Sequence, residues 1–229
     1  MCPQKHIPSA VKDPKLIETR RQQIVAAAVN LFVKKGFHGT TTREIARESG
    51  LSIGALYEYV ESKEDVLYLV CDNIHTTLET RLRRTLTEAG NGRESLRSAI
   101  RQYLYVMDDM QDDVLLIYQE SKSLPLEALR FVLGKEEQIT GIFADILRRG
   151  IEDGSLRLDP GAVTLMAHNI IVLGQMWAFR RWALQRHYTL EEYIRVQTSL
   201  LLNELMSPDE TDDTDTHDKK EQGEAVGGN

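Results

Sequence analysis

The residues best equipped for chemistry are crowded around the eleven-residue stretch GLSIGALYEYV, Gly50–Val60. It carries a turn glycine (Gly50), a serine (Ser52), then Ile53, Gly54 and Ala55 where a helix is starting. Tyr57 and Tyr59 follow on either side of Glu58. A glycine inside a helix costs about 1 kcal/mol against alanine, so Gly54 makes sense if another surface must approach the backbone. Upstream, Thr41, Thr42 and Arg43 open one predicted helix, and downstream Lys63 opens another. Hydroxyls, cations and free N–H groups gathered at helix N-termini are the chemistry of phosphate binding. Catalytic chemistry is not legible. His168 has no carboxylate at i±3 or i±4, no glycine loop suits a nucleotide, and Cys2 and Cys71 lack metal-ligand spacing. The expectation is a chain that is not an enzyme and holds no metal or cofactor.

The elements that must position these groups read as helices throughout. Ile24, Ala27, Ala28, Leu31 and Phe32 keep 3/4 spacing before a stop at Lys34-Lys35-Gly36. Thr41 and Glu44 form a capping-box pattern, Gly50 ends that helix, and Ser52 caps Ile53–Tyr59. Further helices are expected at 62–86, 94–108, 112–121, 125–151, 160–186 and 189–206. That makes an all-α protein of about nine helices, since no run alternates with period two. The short helices joined by a glycine turn, after a longer helix bearing cations, are the parts of a helix-turn-helix, whose second helix enters the DNA major groove. In that reading Leu56 and Val60 face inward, while Tyr57 and Tyr59 point outward to the phosphates.

Charge supports the division. The net charge is −7, but the segment from Asp209 onward holds eight acids against two lysines. That segment is too polar to bury a core and is expected to be a disordered acidic tail over 207–229. Residues 1–47 carry nine Lys/Arg against Asp13, Glu18 and Glu44, a local field of +6 on an acidic chain. No apolar run approaches the ~20 residues of a membrane span, and no secretory segment follows Met1-Cys2-Pro3. A cytoplasmic protein without membrane contact is expected.

The segment TTREIARESGLSIGALYEYVESKEDV resembles the DNA-binding domain of TetR/AcrR-type transcriptional repressors. The family pattern is matched at Thr42-Arg43-Glu44-Ile45-Ala46, Gly50-Leu51-Ser52, Gly54, Leu56-Tyr57 and Ser62-Lys63-Glu64, over about residues 16–70. Val60 and Val66 stand where Phe and Leu are commonest, and both stay apolar. The resemblance implies a flexible arm (1–14), a helix-turn-helix domain (15–62) and a regulatory domain (63–206). The last would hold a small-molecule inducer and pair two copies through helices 160–186 and 189–206. Such a homodimer reads a palindromic double-stranded DNA operator, its two recognition helices roughly 34 Å apart. AVTLMAHNIIVLGQM, apolar nearly all round, suits a helix touching both its own core and a partner.

Inducer contacts are expected among polar or aromatic residues on apolar faces: Tyr103, Met107, Tyr118, Gln119, Lys122, Phe143, His168 and Trp177. Trp177 and Arg181 are i,i+4 neighbours with Arg180 between them, a pattern suited to a planar anionic ligand. SIGALYEYVESKEDVLY, LIYQESKSLP and the Trp-Arg-rich end of the 160–186 helix are similar to the acyl-CoA-responsive branch, repressors of fatty-acid, aromatic-acid or steroid-ring degradation. That similarity implies a CoA thioester as inducer, with its phosphates near Arg180 and Arg181. An efflux-pump repressor sensing aromatic or cationic drugs is the alternative within the family. It needs a buried carboxylate, for which Asp108, Glu120 and Asp145 are the candidates. A helical adaptor is the reading from another class, and it leaves the chemistry of Gly50–Val60 unexplained.

Overall fold

The structure, a computed structural model, describes residues 7–85 and 90–205. The described residues form ten α-helices and no strand: α1 (Pro14–Lys35), α2 (Thr42–Glu48), α3 (Ile53–Tyr57), α4 (Lys63–Thr85), α5 (Gly92–Asp109), α6 (Gln111–Glu120), α7 (Leu126–Glu152), α8 (Val163–Phe179), α9 (Arg181–Leu184) and α10 (Leu190–Glu204). Residues 1–6, 86–89 and 206–229, and with them the start of the N-terminal arm and the acidic tail, lie outside the described residues.

Local chemistry sets the helix ends. Asp13 accepts the backbone N–H groups of Lys15 and Leu16 ahead of Pro14 at the first helical position. The capping boxes of Thr41 with Glu44 and Thr189 with Glu192 both close as their sequences predict. Between α2 and α3 the chain turns through a Schellman motif. Leu51 N donates to Ala46 O at 2.8 Å, Gly50 N donates to Arg47 O at 3.2 Å, and Gly50 sits at φ 72. A side chain at Gly50 would be strained there, and that conformation sets the angle between α2 and α3.

Three expectations are corrected. The 160–186 segment is broken: a 3-10 turn at Pro160–Ala162 precedes α8, and Arg180 (φ −108, ψ 19) separates α8 from α9. Residues 7–13 are docked. Ile7 is buried, Ala10 N donates to Glu58 O at 3.0 Å, and the Arg21 guanidinium clamps Ile7 O at 2.7 Å and Tyr59 O at 3.0 Å. Finally, Pro160–Phe179 does have the length and apolarity to cross a bilayer on composition alone, with mean hydropathy 1.4. The helix packs one side on α5, α6 and α7 and leaves Leu165 and Val172 exposed on another. A helix that is apolar beyond its own core side has a second surface to cover.

One core runs through the molecule. Ile24, Ala28, Phe32, Ile45, Leu56 and Val60 close the three-helix N-terminal unit. α4 leaves that unit and becomes a wall of the second bundle, packing on α1 at one end and on α5 and α7 at the other. Ser62 and Asp65 begin it with a reciprocal cap, Asp65 N donating to Ser62 Oγ and Ser62 N to Asp65 Oδ2.

Candidate nucleic-acid interface and ligand cavity

The start of α3 presents a bare, polar surface. Ser52, Ile53 and Gly54 are exposed, Ala55 is half-buried, and Ser52 Oγ accepts Ala55 N at 3.1 Å. Tyr57 is 49% exposed, and its hydroxyl lies 3.3 Å from Thr42 Oγ1, bridging α3 to the first turn of α2. Arg43 and Arg47 are exposed on α2 beside it. The Thr41 hydroxyl is occupied within the capping box, accepting Glu44 N and donating to Glu44 Oε2. What Thr41 leaves to an outside phosphate is the positive end of the helix rather than its oxygen.

Two of the predicted outward contacts are internal. Tyr59 is 5% exposed and joins the core, because α3 ends at Tyr57 and the chain then bends inward towards Val60. The Lys63 ammonium donates to Phe37 O and Thr40 O, both at 2.9 Å, and lies 4.3 Å from the Phe37 ring centroid. It clips the α1–α2 loop to α4, spending two of its three N–H donors inside the protein. Part of the basic field is likewise spent within the chain, Arg21 on the N-terminal segment of residues 7–13 and Lys35 on Glu44 at 2.6 Å.

Glu44 gives a measurable consequence. Its hydrogen bonds from Lys35 and from the Thr41 backbone and hydroxyl hold its carboxyl down at about 2. A depressed carboxyl contributes stability that is complete above its unfolded value, about 4.3, and is lost as pH falls towards the folded one. The urea midpoint of wild type should therefore exceed that of Glu44→Gln at pH 6, and the gap should close between pH 4.5 and pH 2. A gap independent of pH would show that the carboxylate charge is not what stabilises the start of α2.

The second bundle holds a cavity of about 300 Å³ that opens to solvent beside Tyr118 and Leu133, both exposed. Five helices wall it: α4 (His75, Leu78), α5 (Tyr103, Met107), α6 (Val114, Ile117, Tyr118), α7 (Val132, Leu133, Glu136, Ile139) and α8 (Ile171, Gln175, Phe179). Tyr103 is buried and donates to Ile171 O at 3.1 Å, and burial pushes its phenol far above the usual range. Gly174 allows α8 to lie against it, for a Cβ there would meet Tyr103 Cε1 at 2.3 Å.

Of the ligand candidates read from sequence, Tyr103, Met107 and Tyr118 line this cavity. Phe143 stands one layer behind, its ring edge-on to Tyr103 at 5.3 Å. Gln119 and Lys122 face solvent, and His168 is at the α7–α8 surface, 3.9 Å from Glu137. Trp177 is buried elsewhere, donating to Asp108 at 2.8 Å and lying against Tyr193. The break at Arg180 separates it from Arg181, which pairs with Asp112 at 2.7 Å, so the expected Trp177–Arg181 pair does not form. Arg180 is exposed, 5.6 Å from the Trp182 ring.

Sequence reasoning missed four polar cavity residues, His75, Ser121, Glu136 and Gln175. Gln175 Nε2 donates to Glu136 Oε1 at 2.9 Å, and His75 Nδ1 is 2.9 Å from Cys71 O. Burial lowers the His75 pKa and raises the Cys71 thiol to about 12, so this i,i+4 pair is a neutral imidazole beside an inert thiol. The carboxylates proposed for a drug site are elsewhere. Asp108 serves Trp177, Asp145 pairs with Arg148, and Glu120 accepts Phe37 N at 3.1 Å.

That last contact links the two halves. α6 supplies cavity wall with one face, while Glu120 at its end holds the loop after α1, and Ser123 just beyond lies 3.2 Å from His38. A three-helix unit with a solvent-facing second short helix, coupled to a bundle with an apolar cavity, defines a helix-turn-helix regulator. Residues 24–68 match the bacterial regulatory proteins of the tetR family, and residues 89–182 match the tetracyclin repressor-like C-terminal domain. The chain is 30% identical to the HTH-type transcriptional regulator HbdR of Aromatoleum sp. (strain CIB), over 90% of each chain. It is 28% identical to the HTH-type transcriptional repressor KstR2 of Mycolicibacterium smegmatis, over 62% of this chain and 69% of that one. Its fold is shared with AibR, solved in complex with isovaleryl coenzyme A and operator DNA (TM-score 0.67, 18% identity, 79% of this chain and 97% of that one). The chain belongs to the TetR family of transcriptional regulators. It is a DNA-binding protein and not an enzyme.

Proposed function

We propose that the protein is a homodimeric repressor released from a palindromic operator when an acyl-CoA thioester fills the α4–α8 cavity. The observation that carries this is the cavity itself, whose α6 wall also grips the α1–α2 loop through Glu120. An occupant that pushes on Tyr118 or Ile117 moves the helix that holds Phe37 and, through Lys63, the start of α4. The ligand acts only to the extent that it binds the displaced arrangement better than the DNA-competent one. The cavity wall ends at Phe179 and the next two residues are Arg180 and Arg181, which fits an acyl group inside and phosphates at the arginines. The relationship to HbdR and KstR2, and the use of the same fold by AibR to hold isovaleryl coenzyme A, agree with that ligand class. Titration calorimetry with a ladder of short, medium and aromatic acyl-CoAs tests it, and no heat from any of them sinks the ligand assignment.

The dimer reading rests on the bare face of α8. Leu165 and Val172, one heptad apart, are 65% and 58% exposed, and Leu200 on α10 is 59% exposed. A second copy pairing α8 and α10 in a four-helix bundle would cover them. Wild type should sediment at twice 26.1 kDa, and the Leu165→Glu, Val172→Glu double variant as a monomer with a far weaker grip on a palindromic operator. A wild-type monomer, or a double variant that still dimerises, would place the interface elsewhere.

Glu136 favours one second reading, a cationic or aromatic drug as inducer, since it is the carboxylate that lines the cavity. Release by lipophilic cations and not by thioesters would select it.

A further inference from the structure

The cavity turns three side-chain acceptors towards a ligand's hydrogen-bond donor, and this narrows the ligand. His75 Nδ1 faces the Cys71 carbonyl at 2.9 Å, so that nitrogen carries the proton and Nε2 is a lone-pair acceptor. Glu136 receives one bond from Gln175, at Oε1, and among the described residues it forms no ion pair and Oε2 has no partner. Gln175 spends one amide N–H on Glu136, leaving its carbonyl oxygen as a third acceptor beside its second N–H. The neighbouring cation, Lys135, is paired with Asp72 at 3.4 Å and lies 5.6 Å from the Phe131 ring. Apart from Ser121, whose hydroxyl both donates and accepts, the other walls are apolar or aromatic, Leu78, Met107, Val132, Ile139 and Ile171 among them.

A plain hydrocarbon chain filling this space would strip water from three acceptors and give them nothing in return. Leaving buried polar groups unpaired is what makes a site built for a hydroxyl reject the analogue without one. We infer that the cavity selects an acyl group bearing a hydroxyl, an alcohol or a phenol, which His75, Glu136 and Gln175 receive as hydrogen-bond acceptors. Tyr103, Tyr118 and Phe179 give the remainder of that acyl group aromatic surfaces to lie on. The inference rests on the acyl-CoA reading above, and it assigns to Glu136 the choice among thioesters rather than the recognition of a cation.

The test compares matched ligands on the full-length protein by calorimetry: octanoyl-CoA against its terminal-hydroxy and terminal-amino analogues, and phenylacetyl-CoA against its ring-hydroxylated analogues. At least one hydroxylated thioester should bind tenfold or more tightly than its parent, and the preference should shrink in Glu136→Leu and in His75→Phe. Glu136→Gln, nearly the same size, serves if the leucine variant fails to melt cooperatively. Equal binding of every hydroxylated and parent pair overturns the inference while leaving the thioester reading standing. Tighter binding of the amino analogue overturns it in favour of the cation. If no thioester binds, the thioester reading falls, and the same pairs as free acids decide. A hydroxyl preference lost in Glu136→Leu then supports the inference, and no preference overturns it.

Discussion

Valine in place of Gly54 should leave the protein folded and strip it of operator binding. Gly54 is the second residue of α3, exposed, and a Cβ built there meets only Ser52 Oγ, at 4.0 Å. The free protein therefore has room for a side chain, and the helix gains from losing a glycine, by at most about 1 kcal/mol. The cost arises only when α3 is seated in a groove, where a branched side chain holds the backbone off the duplex. The loss should be at least that of one mismatched base pair, about 1–3 kcal/mol, or roughly tenfold to a hundredfold in affinity. Fluorescence anisotropy on the operator, beside a thermal melt, reads both quantities. Full affinity in the valine variant would mean that α3 does not approach DNA through this turn. A fall in melting temperature would mean that Gly54 serves the fold.

Alanine at Gly92 should do the reverse, damaging stability far from either site. Gly92 begins α5, and a Cβ there would lie 2.1 Å from the Gly150 Cα and 2.4 Å from the Gly150 backbone nitrogen. Both clashing atoms are main chain, so no rotamer change can relieve them, and α5 and α7 must separate. The same seam is tied by Gly92 N donating to Asp153 Oδ2 at 2.7 Å and Arg93 N to Ser155 Oγ at 3.0 Å. These bonds stretch with any separation. Overpacking of this kind costs about 3 kcal/mol or more, which for a chain of this size lowers the melting temperature by roughly 6–12 °C. A change of a degree or less would show that the α5–α7 contact is slack.

These two glycines mark what sequence could and could not convey. The DNA-facing unit was readable because its signals are local: Thr41 with Glu44, Gly50 in the turn and Ser52 at the cap each act within three or four residues. The outward placing of Tyr59 depends on α3 running two residues further than it does. Once the helix ends at Tyr57, the chain bends and Tyr59 turns to the core. The clip made by Lys63 was not legible, because its partners, Phe37 O and Thr40 O, lie more than twenty positions away. The cavity was hardly readable at all. Its lining comes from five helices, and whether Glu136 in the run Lys135–Gln138 faces inward depends on how α7 is rolled against α8. Gly92 likewise has meaning only opposite Gly150, fifty-eight positions on. The Trp177–Arg181 pairing assumed an unbroken helix, and the interruption at Arg180 removed it.

The central claim is that occupying the α4–α8 cavity frees the operator. Its most direct measurement is operator release: full-length protein bound to a labelled duplex from its own promoter, titrated with acyl-CoA thioesters at constant salt. The account predicts that one thioester class releases the DNA at concentrations where coenzyme A alone and the free acid do not, and that a bulky residue filling the cavity, Ile139→Trp, blunts the response. DNA that stays bound through every thioester, or is released equally by coenzyme A alone, would contradict it.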